Sequence, residues 1–338
     1  MFWSWQGAQT GERVALQLTH LANASKGASR PQPHLQTVYR RALDASIAAL
    51  SAMPHHLTLR ARFITLVHRL IPCLNKEVLL GSLPTILPLL VGGTGGDASD
   101  EIKDLDGVAP LINQLIIYFD VALGPALEPV FLPFFHKILL LISATVEESG
   151  GDATLPHVAV MVSSLQRHCL MLLHHIVAHN LATPIFASPR NRAQVSEVMR
   201  VVVNAVSDTD PLLAKLCVAI LLALSRAWLM NPPPPGVDPA TIANFLVNDA
   251  LPASLLALLA PNFRPKDANC ARVVTEVATL AFCLYQALGA AFVTSLAGEI
   301  LPRLDFPPDL VARLGGCFEG ETSGSEFEIQ LRACLEQR

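Results

Sequence analysis

The chain has 338 residues, of which 51% are hydrophobic and 15% charged, and its formal net charge is −4. This composition excludes a disordered chain, because disordered segments are poor in apolar residues and rich in charge. A core of this size needs no disulfide or metal to stabilise it. The length fits two or three globular domains, or one elongated array of repeats.

Helical periodicity dominates, and it is clearest in residues 57–74. Apolar residues recur there at intervals of three and four, which places them on one helix face and leaves Arg62 and Arg69 on another. These apolar residues are Leu59, Phe63, Leu66, Val67, Leu70 and Leu74. Further along, Asp210 before Pro211 is typical of a helix start. We expect the following helix, to about Trp228, to be buried on several sides.

Proline- and glycine-rich breaks divide the chain into roughly fourteen helical segments. The breaks lie at residues 31–33, 53–54, 92–96, 150–151, 184–189, 232–236, 261–265 and 307–308. Helix pairs of this size stack as HEAT-like antiparallel units of about 40–47 residues. The sequence therefore predicts an all-α fold, an α-solenoid superhelix of about seven or eight helix pairs. Pro125, Pro129 and Pro133 predict a kinked helix within it.

Residues 277–298 form an uncharged run long enough to span a membrane. Gln286 and Gly289 interrupt its middle, so we interpret it as two buried helices separated near Gly289, and we expect no membrane insertion. The first residues also lack the basic and apolar regions of a signal peptide.

Catalytic and metal-binding motifs are absent from the sequence. The seven cysteines show no C-x-x-C spacing, which favours buried, reduced thiols over disulfides or zinc fingers. His175 and His179 lie four residues apart near His168, but no carboxylate accompanies them at ligand spacing. We therefore expect no metal, no cofactor and no enzymatic activity.

Charge is distributed unevenly along the chain. Residues 1–76, 77–152, 153–226 and 227–338 carry net charges of +7, −9, +3 and −5. Basic stretches attract phosphates, and acidic ones attract basic partners. Asp104 and Asp106 are interpreted as solvated loop charges, and the 92–96 glycine cluster as a flexible loop.

The basic residues are the candidates for a nucleic-acid interface, because the guanidinium group matches phosphate geometry. The candidate RNA contacts are Arg40, Arg41, Arg60, Arg62, Arg69, Lys76, Arg190, Arg192 and Arg200. Tyr39, beside Arg40, is positioned to stack on a base, although a place in the core fits it better.

Five segments follow one another in the order seen in a known family. They are Leu-Val-His-Arg-Leu-Ile-Pro-Cys-Leu at 66–74, Pro-Leu-Ile-Asn-Gln at 110–114, Phe-Leu-Pro at 131–133, Asp-Thr-Asp-Pro at 208–211 and Glu-Ile-Leu-Pro at 299–302. In this order the chain resembles the C-terminal part of exportin-T, the tRNA exportins of the importin-β (karyopherin) family. The resemblance runs from residue 12 to 338, and residues 1–11 do not match.

The resemblance implies a HEAT superhelix that binds tRNA together with Ran in its GTP form. Such a receptor contacts nuclear pore proteins and shuttles between nucleus and cytoplasm. Full-length members are longer, and the N-terminal repeats that contact Ran are expected to be absent from this chain. The alternative is a HEAT scaffold or a karyopherin for protein cargo, with the acidic residues 77–152 as its binding face.

Overall fold

The computed structural model describes residues 2–27, 31–207, 210–231, 237–318 and 324–336, with side chains from residue 9 onward. None of these residues forms a β-strand, and most lie in helices. The predicted all-α fold is confirmed. The chain packs as two units, Met1–His175 and Ile176–Arg338.

Unit 1 is built from helices joined by short turns. They are α1 Phe2–Ala24, α2 Pro33–Ala52, α3 Leu57–Leu70, α4 Lys76–Val91, α5 Ala98–Phe119, α6 Gly124–Glu148 and α7 Pro156–Ala178, the last of which continues into unit 2. Helix α3 packs between α1 and α5, whereas α4 packs between α2 and α6. Odd and even helices thus form two layers, which is the packing of an α-solenoid.

Unit 2 repeats this arrangement with shorter elements. They are α8 Ala182–Phe186, α9 Val195–Val206, α10 Pro211–Trp228, α11 Pro239–Phe245, α12 Leu251–Leu258, α13 Ala268–Leu288, α14 Ala290–Ser295, α15 Leu301–Arg303, α16 Pro308–Gly316 and α17 Ser325–Glu336. Helix α13 packs between α10 and α17, and α12 packs against α9 in the second layer. An aromatic cluster of Tyr285, Phe292, Phe318 and Phe327 joins α13, α14 and α17.

Unit 2 contains an internal repeat that the sequence analysis missed. Single π-helical turns at Leu246–Ala250 and Leu296–Ile300 are each followed by a Leu-Pro pair, fifty residues apart. Pro252 and Pro302 have no N–H and cannot make the bond to residue i−4, so a widened turn accommodates them.

The predicted burial of the 57–74 segment is confirmed. The six residues of the predicted apolar stripe are at most 1% exposed, while Arg62, Thr65 and Arg69 are exposed. The start of α10 is also confirmed: the Asp210 carboxylate accepts from the Leu212 N–H at 2.9 Å. Residues 232–235 lie outside the described residues.

Helix α6 runs from Gly124 to Glu148 with Pro129 and Pro133 inside it. Pro125 lies in its first turn, where a missing N–H costs no hydrogen bond. The helix therefore continues through these prolines rather than ending at them.

Among the described residues, four helical stretches are long and apolar enough to cross a membrane by length and composition alone. They are Ala98–Glu148, Pro211–Trp228, Pro239–Leu258 and Ala268–Leu288. In this structure their buried faces pack on neighbouring helices, as α10 packs on α13. The run at 277–298 breaks at Gly289, as predicted, because that residue adopts φ 60° between α13 and α14.

Six of the seven cysteines are buried, and Cys334 is partly exposed. Burial raises the pKa of the Cys169 thiol to about 12. These residues therefore serve as small apolar side chains, as the sequence predicted.

Candidate nucleic-acid interface

Arg60 is fully buried, so its prediction as a tRNA contact is wrong. Its Nε and Nη2 donate to the two carboxylate oxygens of Asp104 at 2.8 and 2.7 Å. Its other three bonds reach the carbonyls of Pro54 at 3.0 Å, Leu89 at 2.9 Å and Leu90 at 2.6 Å. A guanidinium has five N–H donors, so none is left for a phosphate.

The partner of Arg60 also differs from its prediction. Asp104 lies inside α5 with a side chain only 2% exposed, rather than in a solvated loop. Asp106 is exposed on the same helix, and its Oδ1 accepts from His168 Nε2 at 2.9 Å. Arg60 and Asp104 each fall on the apolar face of their own helix, and this pattern is the signal that sequence reasoning overlooked.

The remaining basic candidates of unit 1 are exposed, and most lie in the first half of α2, in the last turn of α3 and at the first residue of α4. The Gln36 side chain ties α2 to the turn between α3 and α4, since it donates to the Cys73 carbonyl at 2.7 Å and accepts from the Asn75 N–H at 3.0 Å. Arg40 follows Gln36 by one helical turn, Arg69 precedes Cys73 by one turn, and Lys76 follows Asn75. We call this surface the basic end: Arg40, Arg41, Arg69 and Lys76.

Lys76 is held in place at the basic end. Its Nζ donates to the Tyr118 carbonyl at 3.0 Å and lies 4.5 Å from the centre of the Tyr118 ring. The carbonyl belongs to the last turn of α5, where unpaired carbonyls and the helix dipole favour a cation. Lys76 therefore places a positive charge next to the Tyr118 ring, a residue that the sequence analysis did not select.

Arg62 lies on the exposed face of α3 with Arg69. Seven residues separate them, which is nearly two turns and about 10 Å along the helix axis. Arg62 therefore extends the exposed positive charge along α3, away from the basic end.

The second group of candidates lies in unit 2, around the start of α9. Arg190, Arg192 and Arg200 are all exposed. Between the first two, Asn191 is fully buried and donates from Nδ2 to the Ile185 carbonyl at 3.0 Å. The buried Asn191 anchors the connection and directs its two neighbours outward.

Tyr39 does not serve as a base-stacking residue, because it is buried in α2. Burial raises the pKa of its hydroxyl, and the nearby Cys73 raises it further. The interpretation of Tyr39 as a core residue is confirmed.

The opposite end of unit 1 carries acidic residues, one of which organises the predicted 92–96 loop. The Glu101 carboxylate accepts from the N–H of Thr94 at 2.6 Å, the Thr94 hydroxyl at 2.7 Å and the Gly95 N–H at 2.7 Å. Lys137 Nζ lies 2.6 Å from its other oxygen. Burial raises the pKa of Glu101, but the bonds from Lys137, Thr94 and Gly95 outweigh it and lower the pKa to about 2.

The histidines singled out in the sequence occupy α7 and the turn that follows it. His168 contacts Asp106, and the rings of His174 and His175 meet edge to face at 5.6 Å. Within the part of the chain that the structure describes, no three His, Cys, Asp or Glu side chains are grouped so as to hold a metal ion.

Comparison with known proteins finds relatives that match most of the chain. The family model described as Exportin-T matches residues 16–336. Exportin-T of Arabidopsis thaliana is 28% identical over 284 residues, which cover 82% of this chain and 27% of the relative. The human protein is 28% identical over 277 residues, covering 81% and 27%, and the mouse protein is 27% identical over 318 residues, covering 90% and 31%.

No solved structure matches the chain. The chain spans roughly a quarter to a third of the length of the relatives it matches. The family match nevertheless covers almost all of the sequence and agrees with the all-α, layered architecture of both units. The chain therefore belongs to the exportin-T family.

Proposed function

We propose that this chain is the tRNA-binding segment of a nuclear export receptor and that the basic end of unit 1 contacts the tRNA backbone. The observation that carries the proposal is the family match over residues 16–336. The exposed cations of the basic end support it, because phosphate contacts supply most of the affinity of proteins for folded RNA.

In the complete receptor, we expect tRNA to bind together with Ran in its GTP form. The receptor would contact nuclear pore proteins, shuttle between nucleus and cytoplasm, and release tRNA when Ran hydrolyses GTP. This chain would contribute binding surface and no catalytic group. Because the chain spans only 27% of the human relative, we assign the Ran contact to the longer protein.

The charges within unit 1 favour RNA over a basic peptide as the ligand. The alternative function, a scaffold or a karyopherin for protein cargo, uses the acidic residues 77–152. Two of these acids are already engaged, since Asp104 pairs with Arg60 and Glu101 with Lys137. Lys137 is already counted in the net charge of −9, whereas Arg60 lies outside residues 77–152 and neutralises one further acid of that segment.

Binding of a tRNA transcript by the whole chain, measured as a function of salt, tests the proposal. Each neutralised phosphate contributes up to about −0.9 to the slope of log K against log salt. Contacts from the four cations of the basic end predict a slope of about −3. Absence of binding at low salt, or a slope near zero, contradicts it. Capture of a basic peptide without tRNA binding supports the alternative.

A further inference from the structure

Tyr118 occupies a distinctive position at the margin of the basic end. Its ring is partly exposed, and Phe119 meets it edge to face at 5.0 Å. Lys76 is fixed over the ring by a carbonyl bond and a cation–π contact. Ring and cation are therefore held together before any ligand arrives, which reduces the entropy lost on binding.

Two exposed apolar residues lie close to Tyr118 in the sequence. Ile117 precedes Tyr118 and is 53% exposed, and Val121 follows shortly after and is 56% exposed. Between them the backbone of Asp120 adopts φ 52° and ψ −139°, a conformation that L residues rarely adopt. The end of α5 therefore carries one partly exposed aromatic residue and two exposed aliphatic ones.

Charge identifies the ligand that fits this surface. Lys76 contacts the ring and Arg69 belongs to the same basic end, so the ligand carries negative charge beside a flat apolar group. An unpaired nucleotide has both features, whereas a base inside a helix cannot offer its face. Stacking of bases on aromatic side chains next to a cationic groove is the common way to bind single-stranded RNA.

We propose that Tyr118 stacks one unpaired base of the bound RNA on the ring face opposite to Lys76, at the exposed end of α5 that also carries Ile117 and Val121. The phosphate of that nucleotide lies toward Lys76 and Arg69. The inference rests on the proposed function, since it requires RNA at the basic end. It adds a preference for unpaired bases to an interface that otherwise reads only the backbone.

A pair of RNA hairpins tests this stacking without changing the number of phosphates. One hairpin carries a short single-stranded tail, and the other carries the same tail with abasic nucleotides. The whole chain should bind the first at least about fivefold more tightly, because a stacked base contributes about that much or more. Tyr118→Leu should abolish this preference, and Tyr118→Phe should keep it. Thermal unfolding of both variants verifies that they fold.

A matched variant separates this proposal from the proposed function. Arg69→Glu should weaken binding of both hairpins by the same factor, because it removes a phosphate contact only. Equal affinity of the unchanged chain for the two hairpins, or a preference that survives in Tyr118→Leu, overturns the stacking proposal while leaving RNA binding intact. Failure of both hairpins to bind at low salt overturns the proposed function.

Discussion

Arg60 and Asp104 form a buried ion pair between α3 and α5, with Nη2 and Oδ2 2.7 Å apart. The arginine comes from the most basic stretch of the sequence and the aspartate from the most acidic one. The fold therefore neutralises part of each charge block internally. The same arginine donates to the carbonyls of Leu89 and Leu90 in the last turn of α4, where the regular helical hydrogen bonds end. One side chain thus connects three helices of unit 1.

Substitution of one partner of this pair should destabilise the protein strongly. Arg60→Met leaves the Asp104 carboxylate buried without its counter-charge, which costs about 3–5 kcal/mol. Asp104→Leu should lower the free energy of unfolding by a comparable amount, because it leaves the Arg60 guanidinium buried without its counter-charge. The double variant Arg60→Met/Asp104→Leu should be less destabilised than the sum of the two singles, because no unpaired charge remains. Urea unfolding followed by circular dichroism measures all three.

Arg62→Met provides the control for this cycle. Arg62 lies two residues away on the same helix and is exposed, so its replacement should change the free energy of unfolding by less than about 0.5 kcal/mol. Strict additivity of the two buried substitutions would show that the pair is not coupled and would contradict its assigned role.

Glu101 should make stability depend on acid pH. Its pKa is lowered from 4.5 to about 2 in the folded protein. The stabilisation is therefore fully present above pH 4.5 and is lost as pH falls toward 2. Glu101→Gln should lower the free energy of unfolding at neutral pH by about 1–2 kcal/mol and reduce the loss of stability between pH 4.5 and 2. Unfolding curves for both proteins across this range measure the effect. Parallel pH profiles would disprove it.

Gly289 and Gly298 should respond oppositely to alanine. Gly289 adopts φ 60° at the break between α13 and α14, so Gly289→Ala should destabilise by about 1 kcal/mol through backbone strain alone. A Cβ at either position meets no atom within 4 Å. Gly298 lies in a helical turn, and Gly298→Ala should therefore be neutral or stabilise by up to about 1 kcal/mol. Thermal unfolding of the two variants distinguishes them, and a destabilised Gly298→Ala would contradict this explanation.

Helical periodicity, together with the proline, glycine and capping residues at helix ends, was sufficient to predict the all-α, layered architecture. The apolar stripe of α3, the Asp210 cap and the break at Gly289 depend on neighbouring residues, so the local sequence encodes them. The paired layers follow because amphipathic helices of similar length must bury one face each.

The candidate site was less predictable because exposure depends on contacts between distant residues. Arg60 and Arg62 are the same residue type on the same helix, but only Arg60 faces the packed core. There it pairs with Asp104, which lies 44 positions away in the sequence, whereas Arg62 stays on the surface. Tyr39 and Tyr118 show the same contrast: the one beside an arginine in sequence is buried, and the one beside a lysine in space is partly exposed. In both pairs, the position of the residue relative to the packed face of its helix determines whether its side chain is buried or exposed.

The central claim is that tRNA binds at the basic end, and a pair of charge-matched variants tests it most directly. One variant changes Arg40, Arg41, Arg69 and Lys76 to Glu. The control changes the exposed Arg264, Lys266, Arg272 and Arg303 of unit 2 to Glu, and so alters the net charge equally. The measurement is tRNA affinity at several salt concentrations.

We predict that the first variant loses at least about tenfold in affinity at low salt and that its salt slope falls by about 3, while the control stays near the unchanged chain. Equal weakening of both variants would show that only overall charge matters. That result, or full affinity in the first variant, would contradict the account.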